Sequence, residues 1–135
     1  MMGTLRLEVF TPQRRVFCAA VASVIAPGLE GYLGILPRHA PLLAVLKAGV
    51  VYCRDAEGKT ERLAVSGGIL EAGPVKVIIL ADEAELAGEI DVERARRAKE
   101  RAEKRLRERP AGLDLARAEA ALQRSLARLK AARAI

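Results

Sequence analysis

Two halves of this chain are written in different amino acids, and the boundary between them is sharp. Ten of the eleven glycines precede residue 89, as do five of the six prolines and every valine but one. Beyond that point the chain is mostly Ala, Arg, Glu, Leu and Lys. Residues that favour strands and turns stop together, and strong helix formers take over. A β domain over residues 1–88 followed by a helical domain over 89–135 is therefore predicted, an α+β chain. Charge divides at the same place. Residues 1–88 hold nine Lys+Arg and nine Asp+Glu, whereas 89–135 hold fourteen and eight. The whole formal charge of +6 thus belongs to the second half.

In the first half Leu5, Leu7 and Val9 alternate with Arg6, Glu8 and Phe10, the period of a strand with one buried face. Thr11-Pro12 ends it. Arg15 to Ala26 reads as a second strand region, stopped by Pro27-Gly28, and Tyr32 to Leu36 as a short one. Val50 to Arg54 and Thr60 to Val65 flank a hairpin loop whose Gly58 tolerates positive φ. Ser66-Gly67-Gly68 reads as a turn or tight bend. Ile69 to Glu71 and Val75 to Ala81 follow, separated by Gly73-Pro74. Many short strands without intervening helices predict a sandwich or a barrel.

In the second half Asp91 is suited to cap a helix, with Glu93 in its first turn. Val92, Ala95, Ala98, Ala102 and Leu106 recur at spacings of three and four and form one apolar stripe. Pro110-Ala111-Gly112 interrupts it. Asp114 is placed to cap a second helix, whose stripe is Leu115, Ala118, Leu122, Leu126 and Leu129. Two such stripes across a short break predict an antiparallel pair. Alanine-rich stripes bury little area, so the pair is expected to lean on the β domain, a ligand or a partner. Glu93 with Arg97, Glu100 with Lys104 and Glu103 with Arg107 are spaced as i,i+4 ion pairs on a solvated face.

Several function classes are excluded at this level. No G-x-x-x-x-G-K-[ST] segment exists, and Gly67-Gly68 is followed by Ile-Leu-Glu, so a phosphate-cradling P-loop is absent. No G-x-S-x-G nucleophile elbow is present. His39 is the only histidine, and Cys18 and Cys53 are read as small strand hydrophobes, so neither a metal site nor a nucleophile–base pair is expected. Aromatics make up 3% of the chain, too few for a base-stacking platform. No apolar run reaches the roughly 20 residues of a membrane span. The first ten residues carry Arg6 and Glu8 and do not read as a signal peptide. The basic second half leaves a nucleic-acid partner as an alternative. Asp91 and Arg94 lie one helical turn apart, and Arg101, Arg124 and Arg128 are available from the paired helices. Guanidiniums on facing helices repel unless an anion lies between them, which points to an anionic ligand.

Three longer segments resemble a known family. These are Gly31-Tyr32-Leu33-Gly34-Ile35-Leu36-Pro37-Arg38-His39-Ala40-Pro41-Leu42-Leu43, then Leu46-Lys47-Ala48-Gly49, then Ala64-Val65-Ser66-Gly67-Gly68-Ile69-Leu70-Glu71. They closely resemble the epsilon subunit of bacterial F-type ATP synthase, and the resemblance runs in order over essentially the whole chain. It implies a flattened antiparallel β-sandwich followed by a two-helix hairpin. It further implies a non-catalytic rotor subunit at the cytoplasmic face of the membrane. The sandwich would dock on the gamma subunit and the c-subunit ring, coupling proton flow to ATP synthesis. The hairpin would inhibit ATP hydrolysis when extended toward the beta and alpha subunits. No nucleic-acid partner is expected under this reading, and no cofactor is required.

Some members of that family bind ATP between sandwich and folded hairpin through an I/L-D-x-x-R-A motif. Ile90-Asp91-Val92-Glu93-Arg94-Ala95 matches it. The resemblance carries the ATP role onto Ile90, Asp91, Arg94 and Ala95, onto the upstream Glu85, and onto Arg101, Arg124 and Arg128. It assigns the contact with c ring and gamma to Glu30, Gly31, Tyr32, Arg38 and His39. Two positions depart from the family. Arg38 stands where Gly is common, at a cost of about 1 kcal/mol if φ is positive there. Tyr32 stands where Glu is common.

Overall fold

A computed structural model of the chain describes residues 3–135. Eight strands precede the helices: β1 (Leu5–Phe10), β2 (Arg15–Val21), β3 (Ser23–Gly28), β4 (Gly31–Ile35), β5 (Leu42–Arg54), β6 (Thr60–Ala72), β7 (Lys76–Ala81) and β8 (Ala84–Leu86). Neighbouring strands run in the order β2-β1-β7-β6-β5-β3-β4, and β8 pairs with the first half of β6. All pairings are antiparallel except β1 with β7, which is parallel.

Two 13-residue strands, β5 and β6, build the sandwich. Ser66-Gly67-Gly68, expected as a turn or a tight bend, lies inside β6. The strand continues because Gly67 and Gly68 take φ of 81° and 133° and pass an irregularity without ending the ladder. Pairing runs from Leu46↔Gly68 to Ala48↔Ser66 across this waist. Beyond it β6 exchanges its partner, with β7 on residues 68–72 and β8 on 63–65. The sheet folds over at the waist and closes on one core. Leu7, Val9, Val24, Val51, Leu63, Leu70, Val77 and Ile79 have no measurable exposure there. The expected strand from Arg15 to Ala26 is divided at Ala22, and residues 42–49, which lack alternation, complete β5.

Glu8 lies on the other face of β1 and is nearly buried, under a cover of cations. Arg6 Nε is 3.1 Å from its carboxylate, Lys76 Nζ 3.6 Å and Arg15 Nη1 3.9 Å. The Arg6 hydrogen bond holds the Glu8 carboxyl below the usual carboxylate range. Cys53 is 2% exposed in the core, and burial pushes its thiol up to about 11.

A 3-10 turn at Ala87–Glu89 leads to α1 (Val92–Glu108), then α2 (Leu115–Ala131). Both predicted caps form. Arg94 N–H donates to Asp91 Oδ1 and Arg117 N–H to Asp114 Oδ1, each at 3.1 Å. α2 lies against β5 and β6, and α1 lies chiefly against α2. This explains why the second stripe was incomplete. Ala118 and Leu129 are buried as expected, but so are Ser125, Ala127 and Ala131. Ala127 and Ala131 pack on Val50, Ala64 and Ile90. An internal helix needs two apolar faces, and small residues let it approach the sheet closely. The ion pairs on α1 are Arg96–Glu93 at 2.7 Å and Lys99–Glu103 at 3.4 Å, not the three expected. Among the described residues, no helix is long and apolar enough to cross a membrane.

Candidate functional site

A cleft of about 510 Å³ opens where the end of the sheet meets the start of α1 and the last turns of α2. Six of the eight residues expected at a nucleotide site line it together: Glu85, Asp91, Arg94, Ala95, Arg101 and Arg128. Local structure accounts for their convergence. Asp91 is fixed as the cap of α1, which sets Arg94 and Ala95 on the first turn and Arg101 two turns further along the same side. Buried Ala95 has no bulk to fill the space. Glu85 projects from β8, and Arg128 comes from α2 across the gap.

The remaining two are elsewhere. Ile90 is 9% exposed and packs with Val50, Ala64, Ala127 and Ala131, so it anchors the helix start and does not line the cleft. Arg124 lies one turn before Arg128 and lines a neighbouring hollow with Ser66, Glu83 and Glu85.

The charges differ from the expectation of guanidiniums on facing helices that repel unless an anion lies between them. Arg128 Nε donates to Glu85 Oε1 at 2.5 Å, and its Nη2 donates to Glu83 Oε2 at 3.2 Å. Arg124 Nε lies 3.9 Å from Glu83 Oε1. Arg124 and Arg128 are therefore neutralised by the sandwich itself. Arg94 and Arg101 are different: among the described residues their side chains have no carboxylate within ion-pair distance. Two acids in the cleft were not anticipated, Glu83 and Glu89. Glu89 sits 3.7 Å from Arg14 Nη2. Neither carries a sequence signal, because each is brought in by a turn of backbone whose path depends on the sheet.

The expected contact segment is not one loop. β4 runs through it and separates its ends. Near Gly31, the Tyr32 hydroxyl accepts from Val50 N–H at 3.1 Å, and the ring lies 6.3 Å from that of Tyr52. Tyr32 is thus half held by the protein and 50% exposed. At the other end Arg38 takes φ 69°, the left-handed conformation anticipated for a glycine position. Its N–H donates to Pro74 O at 2.7 Å, tying it to the β6–β7 turn. His39 Nδ1 is 2.6 Å from Ala40 O.

Comparison with known proteins gives consistent results along the chain. The beta-sandwich domain of the ATP synthase delta/epsilon chain matches residues 4–87. The long alpha-helix domain of the same family matches residues 89–133. The ATP synthase epsilon chain of Moorella thermoacetica is 68% identical over 134 residues, covering 99% of this chain and 100% of the relative. That of Syntrophobacter fumaroxidans is 50% identical over 133 residues, covering 98% of each. Among solved structures, a chain of the Euglena gracilis mitochondrial ATP synthase (OSCP/F1/c-ring, rotational state 1) superposes with a TM-score of 0.81. It is 24% identical, and the match covers 97% of this chain and 82% of that one, which is a likeness of fold. Nothing in these comparisons favours a nucleic-acid partner.

Proposed function

The chain belongs to the ATP synthase delta/epsilon family, as an epsilon chain, and from that membership we propose that it works as a regulated rotor subunit whose hairpin is held down by ATP. In this reading it is a non-catalytic part of the enzyme complex. Its sandwich docks on the gamma subunit and the c-subunit ring, at the cytoplasmic face of the membrane, and helps couple proton flow to ATP synthesis. Its hairpin inhibits hydrolysis when it leaves the sandwich and reaches the beta and alpha subunits. The basic second half suits an acidic partner surface there.

One observation carries the ATP part. Arg94 and Arg101 face a cleft of nucleotide size, and among the described residues neither side chain has a carboxylate within ion-pair distance. Such guanidiniums are free to take phosphate oxygens, and Arg128 across the gap supplies a third. A ligand bridging α1, α2 and β8 binds the folded hairpin and not the extended one, so it shifts the population toward the folded state. Asp91, already a helix cap, is placed to accept from the adenine amino group or a neighbouring Arg.

Calorimetry of the isolated chain tests this. Arg94→Ala is expected to cost about 1.5–3 kcal/mol, the worth of a charge-assisted bond, or roughly ten- to hundredfold in affinity. No heat at millimolar ATP, or equal affinity in both proteins, removes the site and leaves Asp91 as a cap alone.

A further inference from the structure

Glu83 stands outside the sequence motif, yet it engages two α2 guanidiniums, Arg124 and Arg128. Its position is over-determined by Ser66, at the waist of β6. Ser66 N–H donates to Glu83 O at 3.1 Å, and Ser66 Oγ donates to Glu83 Oε1 at 3.3 Å. So held, the carboxylate spans Arg124 Nε at 3.9 Å and Arg128 Nη2 at 3.2 Å. Among the described residues, the ion pairs joining sheet to α2 are these two and Arg128–Glu85. Glu83 takes part in two of the three.

We propose that Glu83 is a built-in competitor of the nucleotide phosphates: it clamps the hairpin onto the sandwich when the cleft is empty, and within the folded state it repels the phosphates and holds Arg128, an effect that outweighs the gain from pre-folding and weakens ATP binding. The inference rests on the ATP reading above. The reasoning is electrostatic. The cleft presents Glu83, Glu85, Glu89 and Asp91 against Arg94, Arg101 and Arg128. A polyanion entering it meets more carboxylates than guanidiniums. Arg128 already spends Nε and Nη2 on two of them, so a phosphate must share or displace. Glu83 both repels the ligand and shares with Glu85 the hold on Arg128, a cation the ligand needs. Asp91, by contrast, caps α1, and Glu89 pairs with Arg14. The chain thus holds its hairpin folded over a wider range of ATP concentration, with a blunter response, than an arginine-only cleft would.

Glu83→Gln removes the charge and keeps the side chain's length and its bond from Ser66. Asp82→Asn removes an equal charge from the adjacent residue, which has no ion pair among the described residues. Two measurements on the full chain are made for wild type and both variants. One is calorimetric ATP affinity. The other is the distance between the sandwich and α2 without nucleotide, by fluorescence energy transfer, at low and high salt. Glu83→Gln is expected to bind ATP about three- to tenfold more tightly than wild type, the worth of a partly exposed ion pair plus a removed repulsion. Its empty hairpin should open at lower salt, while Asp82→Asn behaves like wild type. Affinity unchanged in Glu83→Gln, or raised equally in Asp82→Asn, overturns the competition. If no variant binds ATP, the nucleotide reading fails and the competition fails with it. The clamp is then decided by distance alone, standing if Glu83→Gln opens the hairpin and falling if it does not.

Discussion

Gly68 has φ 133°, and a Cβ built on it would lie 2.2 Å from Leu80 O and 2.8 Å from Ala81 Cα. Both obstacles are backbone of the paired strand β7, which cannot yield without breaking the ladder. Gly68→Ala is therefore expected to destabilise the sandwich by more than about 2 kcal/mol, combining strained φ with a backbone clash. Urea unfolding followed by circular dichroism checks it, and a shift under about 0.5 kcal/mol would refute the waist geometry. The sequence signal at this site was a glycine pair, which marks special backbone in either a turn or a tight bend within a strand. Only the pairing of β7 with residues 68–72 decides between them. Arg38 is the reverse case. The resemblance anticipated a glycine conformation there, and φ 69° in a non-glycine residue is what the chain adopts. Its N–H bond to Pro74 O accompanies the strain.

Among elements, the hairpin is the part held by the thinnest contacts. Its attachment to the sheet includes Ile90, Ala127, Ala131 and Ala132 on Val50, Tyr52 and Ala64, together with the glutamate–arginine pairs. Alanines make that contact close but give little area. Ala131 is 1% exposed, so Ala131→Leu adds bulk where none fits. Overpacking of this kind costs about 1–3 kcal/mol. The cheapest relief is separation of α2 from the sheet. Hydrogen exchange is expected to quicken across α1 and α2 while amides of β1, β6 and β7 keep their protection. Equal loss in both regions would mean that hairpin and sandwich unfold as one unit. The helices themselves were legible early, through Asp91, Asp114 and two apolar stripes. The face that α2 turns to the sheet was not. Ala127 and Ala131 lie in an alanine- and arginine-rich run where small residues mark no preferred side.

On the scale of the whole molecule, the larger core is complete without the hairpin. Every buried member of it belongs to the strands, from Leu5 to Ala84. A chain of residues 1–88 is expected to fold as a β protein with a cooperative thermal transition. Its midpoint should be lower, because Val50, Tyr52 and Ala64 lose their cover. In the assembled enzyme the same truncation should leave ATP synthesis coupled and raise ATP hydrolysis. A fragment without a cooperative transition, or a complex that loses coupling, would contradict the division of labour. The sequence by itself determined where strands yield to helices, where each helix starts, and which half carries the net charge. Those properties follow from composition, caps and local period, all of which act within a few residues. It also determined most of the cleft, because Asp91, Arg94, Ala95 and Arg101 are brought to one side by helical repeat alone. The tertiary structure decided the rest. It made the glycine pair the waist of a long strand, set β1 parallel to β7, turned Ile90 inward, and brought Glu83 and Glu89 to the arginines. Each of these depends on contacts between segments far apart in the chain, and no local pattern encodes which distant charge a side chain will meet.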